Sequence, residues 1–195
     1  MAAPTYDVPD EPAPALGLVL DEGRGALPYS LIHGEALVAC AAWALGDAGI
    51  TPVDVGVAWS SVQGADEPLV LHDSLCPMTP AGFLAHCVQL ALDHDAVVVA
   101  VRPVTDTVKR VDDGLVGDTV DRDGLLAPSS PVVLPPSVVR ALDDFPGHDL
   151  AALVARLRGD HAVELVEAPP EARRVASAED VRLLEALTGE APHQP

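Results

Sequence analysis

Apolar residues follow two rhythms along this chain. Short unbroken runs, ALGLVL at 15–20, PLVLH at 68–72 and AVVVAV at 96–101, each stop at a polar residue or a turn. Runs of that length without polar alternation mark strands buried on both faces, as in a parallel sheet. VDVGVA at 53–58 and AVELV at 162–166 predict two further strands. Between them lie longer stretches of strong helix formers. One, at 35–49, closes on a glycine; another, at 81–93, follows Thr79 and Pro80, a capping residue and then a proline at the expected helix start. Segments 135–142 and 148–158 predict helices, the second with apolar residues at helical spacing. Ser177, with Asp180 three residues on, opens the last helix at 178–188 like a capping box. The alternation of apolar strand and helix predicts a layered α/β fold around a mostly parallel sheet.

One stretch breaks the rhythm. From the strand at 97–101 the chain turns at Pro103 into PVTDTVKRVDDGLVGDTVDRDGL, a polar, β-like segment running to Leu125. A charged arm hung on a buried strand reaches a partner or covers a site. The rest forms one domain, 15–188, with a disordered acidic, proline-rich tail at 1–14 and a fraying tail at 189–195.

The 195 residues and 49% hydrophobic content are enough for a single packed core; aromatics are only 3%, so Val, Leu and Ala build it. A formal charge of −19 excludes non-specific binding to nucleic acid or to an anionic membrane. It also makes each arginine informative. Cys40, Cys76 and Cys87 have no metal-type spacing and leave an odd thiol, so reduced, buried cysteines in a cytoplasmic protein are expected. The N-terminus lacks the basic start and apolar stretch of a secretory signal, and no apolar run is long and charge-free enough to span a bilayer. HExxH, GxSxG and P-loop patterns are all missing, which leaves hydrolase and ATPase readings without support.

Four segments, in order, carry a resemblance: LGLVLDEGRGALPYSLIHGEAL, LVLHDSLCP, PVTDTVKRV with TVDRDGL, and RRVASAEDVRLLEAL. Together they resemble the 2-C-methyl-D-erythritol 4-phosphate cytidylyltransferases, which join CTP to methylerythritol phosphate, across most of residues 16–187. The resemblance implies a Rossmann-like nucleotidyltransferase domain of the glycosyltransferase-A kind, three-layered, with a protruding β-arm at about 103–125 that clasps a second copy. It further implies a partly shared site. Thr107 and Arg122 on the arm would bind the sugar phosphate, Gly23 and Gly25 the nucleotide, Asp73 the Mg²⁺, and Arg24 and Arg174 the reacting phosphates.

Chemistry of this kind needs cations and amides around a triphosphate more than covalent help. This sequence departs from the family there. Asp21 and Glu22 stand where small alanines are usual, and a carboxylate about 5 Å from a phosphate charge costs about 3 kcal/mol at an effective dielectric of about 20. Tyr29 replaces a lysine, Cys76 replaces an arginine, and the loop at 58–68 is too short for the family's cytidine-binding excursion. Lys109 and Arg110 are read equally well as solvated surface charges, and Arg122, between Asp121 and Asp123, as a salt-bridge partner. Two readings stay open at this point: a cytidylyltransferase with an abbreviated nucleotide site, and a catalytically silent dimeric relative with a binding or regulatory role.

Overall fold

The computed structural model describes residues 6–54, 56–103 and 125–189, together with the backbone of 108–112 and 115–120. Its centre is a six-stranded sheet. The strands are β1 (Leu16–Leu20), β4 (Thr51–Pro52), β5 (Leu69–Asp73), β6 (Val97–Pro103), β9 (Leu126–Leu134) and β10 (Val163–Glu167), in the order β10-β6-β9-β5-β1-β4. β1 pairs in parallel with β4 and β5, and β10 with β6; β9 runs antiparallel to both of its neighbours. A short hairpin, β2 (Leu31–Ile32) and β3 (Glu35–Ala36), and the antiparallel pair β7 (Val108–Asp112) and β8 (Leu115–Val120) lie outside this sheet.

The period of two along each strand divides the core. Val70, Val98, Ala100 and Val133 face helices α1 (Leu37–Asp47) and α3 (Ala81–His94), where Leu45, Phe83, Leu84 and Ala91 close the layer. Leu69, Leu71, Val97, Val99, Val132 and Leu134 face the other way. They pack on α2 (Trp59–Gly64), α4 (Pro136–Ala141) and the amphipathic α5 (Leu150–Leu157). A smaller cluster, Ile32, Leu37, Leu75, Val181 and Leu184, docks α6 (Ala178–Thr188) beside the hairpin. Ser177 caps that helix as expected, its Oγ accepting from the Asp180 amide at 3.1 Å. No helix among the described residues is long and apolar enough to cross a membrane.

Several elements differ from expectation. No strand forms among the described residues of 53–58; the pairing with β1 is made just ahead of them by the two-residue β4 and ends where the Val53 amide donates to Gly17 O at 2.8 Å, after which the chain turns, with Val57 N on Asp54 O. The loop expected at 58–68 contains α2. Its Trp59 Nε1 donates to Leu142 O at 3.0 Å and its Gln63 amide to the same carbonyl at 2.9 Å, so the segment is tied down onto the end of α4. Glu35 and Ala36 pair as β3, so α1 starts two residues late. Thr79 does not cap α3; its hydroxyl donates back to Cys76 O. Within the expected tail, Tyr6 stacks edge-on against Phe83 at 5.0 Å, so contact with the body begins there, while residues 1–5 and 190–195 lie outside the described residues.

The expected arm has a visible base. β6 and β9 stay paired past the sheet, Arg102 with Ala127 and Pro103 with Leu126, and this two-stranded stalk leads toward β7 and β8.

Candidate functional site

Because β1 and β5 are parallel and in register, with Leu20 opposite Asp73, the turns that follow them emerge side by side. Ligand sites of open α/β sheets form at such carboxyl ends. The turn after β1 is 21–25, and its glycines have left-handed backbones, Gly23 at φ 77° and Gly25 at φ 61°, which strain any residue with a side chain. Open space surrounds both positions, so the turn's shape, and not close approach, calls for glycine.

That turn sends Arg24 across to Asp73. Arg24 Nε lies 2.6 Å from Oδ1 and Nη2 3.1 Å from Oδ2, a two-pronged pair whose side chains are 8% and 6% exposed. Arg24 also donates Nη1 to Glu22 O at 2.6 Å and Nη2 to His148 O at 3.2 Å. Four of the five guanidinium donors are therefore engaged inside the protein. Arg174 approaches from the segment after β10, which the Val175 amide fastens to Leu75 O at 2.8 Å. Its Nε donates to Asp73 Oδ2 at 3.0 Å, and the side chain remains 46% exposed. Among the described residues its four Nη hydrogens carry no bond.

Asp73 is the hub. Burial pushes its carboxyl upward, but Arg24, the Leu75 amide at 2.9 Å and Arg174 outweigh that and hold it below the usual carboxylate range. Beneath it, Ser130 Oγ accepts from the Asp73 amide at 2.8 Å and lies 2.6 Å from His72 Nδ1. His72 is fully buried, and burial lowers its pKa to about 4, so this serine–histidine contact is a neutral structural support under the strand end. Burial also raises the Cys76 thiol to about 12, which makes it an unreactive core group.

These residues open onto a cleft of about 480 Å³, lined by Glu22, Gly23, Arg24, Asp73, Ser129 and Arg174 and by the start of α5, His148 to Ala151. Two amides of the first turn of α5 are already taken, since Asp149 Oδ1 accepts from Ala151 N and Ala152 N, both at 3.0 Å. Glu22 pairs with His148 at 2.9 Å, and Asp21 accepts the Tyr29 hydroxyl at 3.0 Å. Two arginines thus face three carboxylates, Glu22, Asp73 and Asp149.

The structure brings Gly23, Arg24, Asp73 and Arg174 together as expected. Gly25 does not line the cleft, and Thr107 and Arg122 lie outside the described residues. The expected Mg²⁺ role of Asp73 meets an obstacle: both its oxygens are held by guanidiniums, and among the described residues no three His, Cys, Asp or Glu side chains could hold a metal ion. This donor set does not fit a protein-held Mg²⁺. Sequence reasoning missed His148 and Asp149; an aspartate directly ahead of the apolar LAALVARL was a capping signal for the latter, and His148 left none.

Comparison with known proteins adds the following. The family model for IspD, 2-C-methyl-D-erythritol 4-phosphate cytidylyltransferase, matches residues 46–190. Curated relatives of the same description include those of Symbiobacterium thermophilum, 37% identical over 147 residues (72% of this chain, 61% of the relative), and Corynebacterium efficiens, 32% identical over 143 residues (68% and 58%). The chain thus spans about 60% of the length of these two relatives. Among solved structures, the cytidylyltransferase of Thermus thermophilus superposes with a TM-score of 0.65 at 21% identity, covering 89% of this chain and 98% of that one. The 4-diphosphocytidyl-2C-methyl-D-erythritol synthase of Anaerococcus prevotii gives 0.64 at 15% identity, covering 90% and 98%.

Proposed function

Since this chain belongs to the 2-C-methyl-D-erythritol 4-phosphate cytidylyltransferase family, we propose that its cleft is the family's nucleotidyl-transfer site in a form that grips CTP weakly, so that transfer of CMP to the sugar phosphate is greatly slowed or lost. In that reaction a phosphate oxygen of methylerythritol phosphate attacks the α-phosphorus of CTP and pyrophosphate leaves. Positioning and charge stabilisation provide most of the acceleration. The observation that carries the reading is the state of Arg24, the cation nearest the glycine turn. It is buried against Asp73 with four of its five donors engaged, so it has little left to offer a triphosphate while it stays on that carboxylate.

Arg174 is then the working cation, its exposed guanidinium turned to a phosphate group while Nε stays on Asp73. A guanidinium suits an oxyanion through paired N–H donors. Opposing it, Glu22 and Asp149 bring negative charge to the walls, and the Ala151 and Ala152 amides of α5 are already capped by Asp149. The Mg²⁺ commonly used by nucleotidyltransferases would enter with the triphosphate and draw its ligands from phosphate oxygens and water. A second reading, the catalytically silent relative, is favoured by α2: residues 59–64 fold onto α4 and leave no excursion to embrace a cytosine.

Incubation with CTP, methylerythritol phosphate and Mg²⁺, followed by pyrophosphate release, tests both. Slow release that depends on both substrates supports the weakened enzyme, no release supports the silent relative, and fast release at micromolar CTP contradicts the weakened grip. The stalk formed by β6 and β9 supports, as part of the same proposal, a homodimer clasped through the arm at 103–125. Light scattering should report twice the chain mass, and a monomer at micromolar concentration would overturn the clasp.

A further inference from the structure

Glu22 and His148 are joined twice. At the rim of the cleft their side chains meet, Oε2 to Nε2 at 2.9 Å, with Glu22 75% exposed and His148 25%. Below them Arg24 ties the two backbones together, Nη1 on Glu22 O and Nη2 on His148 O. Glu22 belongs to the turn after β1 and His148 to the segment before α5, so the contact bridges two walls of one cleft. His148 is itself fixed, its ring stacked edge-on with Phe145 at 5.2 Å. The carboxylate therefore sits at the mouth beside His148, largely open to solvent.

We infer that Glu22, strapped to His148, selects among phosphates by charge: it turns away polyphosphates and penalises a single phosphate group less. The inference rests on the reading of the cleft as a phosphate site. A single phosphate can sit against the exposed Arg174 guanidinium alone, whereas a longer phosphate chain that also reaches Gly23 and Arg24 comes alongside Glu22, which lines the same cleft. There it finds the Glu22 carboxylate and an arginine already engaged by Asp73. Coulomb repulsion scales with ligand charge, so each added phosphate compounds the penalty.

The test compares wild type with Glu22→Gln by phosphorus NMR titration of orthophosphate and pyrophosphate, in magnesium-free buffer at fixed ionic strength. Glu22 is an exposed turn residue, so the variant should fold as wild type does. After discounting for solvent at the rim, removing its charge should tighten orthophosphate about threefold and pyrophosphate, with roughly twice the charge, about tenfold. Asp21→Asn is the control for general charge, because Asp21 turns toward Tyr29 and does not line the cleft; it should leave the pyrophosphate-to-orthophosphate ratio unchanged. An unchanged ratio in Glu22→Gln, or an equal change in Asp21→Asn, overturns the strap while leaving the phosphate site intact. Binding of neither anion to either protein overturns the reading of the cleft itself.

Discussion

The two cleft arginines touch the same carboxylate but have different work, and replacing each by methionine separates them. Arg24 and Asp73 are both almost fully buried and doubly bonded, at 2.6 and 3.1 Å. Removing one partner of a buried ion pair typically costs 3–5 kcal/mol, because the other charge is left behind in a poor solvent. Arg174 and the Leu75 amide still compensate Asp73 in Arg24→Met, which puts the loss at the low end, and the freed His148 carbonyl adds under about 1 kcal/mol. The expected total is about 3–4 kcal/mol, or a fall in Tm of about 6–15 °C for a chain of this size. Arg174 is nearly half exposed and contributes one bond to Asp73, so solvent screening limits the loss in Arg174→Met to about 1 kcal/mol. Urea unfolding at pH 7, followed by far-UV circular dichroism, measures both. Orthophosphate titration should show the reverse order, with binding lost in Arg174→Met. Equal destabilisation by the two substitutions, or a loss under about 1 kcal/mol in Arg24→Met, would refute this division of labour.

Three further outcomes are expected. Asp73 has a depressed folded pKa, so its contribution to stability is fully present above the ordinary carboxylate value and is lost as pH falls through the folded one; Asp73→Asn should be less stable at pH 7 and flatter in its acid profile below about pH 4, by urea midpoints. His72 works in another window: its folded pKa of about 4 lies below the unfolded value, so stability should decline as pH drops from about 6.5 toward 4, by up to about 1.4 kcal/mol per pH unit, and His72→Asn should remove that slope. Gly17 lies where β1 meets α1, and a Cβ there would be 2.7 Å from Ile50 Cγ2 and 3.0 Å from Leu45 Cδ1; Gly17→Val should cost about 1–3 kcal/mol in thermal or urea unfolding.

The buried strands β1, β5 and β6 were legible because each is an unbroken apolar run, and Ser177 with Asp180 marked the start of α6. β9 was not legible. Its LAPSSPVVL contains two prolines, which argue against an interior strand. The fold accommodates them where pairing with β5 is absent, since only Val132, Val133 and Leu134 pair with that neighbour, and where the register with β6 shifts between Val99 and Val101. The same strand brings Ser129 to the cleft and Ser130 beneath Asp73, so part of the site was hidden with it. Arg24, Asp73 and Arg174 could be picked from their motifs, one by one. That Asp73 binds both arginines could not, because the bonds join turns 49 and 101 residues from it and depend on strand order.

The proposed weak hold on CTP is tested most directly by calorimetric titration of the protein with magnesium-CTP, beside Glu22→Gln. An occupied Arg24 and a carboxylate at the mouth lead to a wild-type dissociation constant of about 1 mM or weaker, a binding free energy of about −4 kcal/mol, with tighter binding in Glu22→Gln. A wild-type constant of about 1 μM, some −8 kcal/mol, would contradict the account, because a site that retains that much affinity has not lost its grip on the triphosphate.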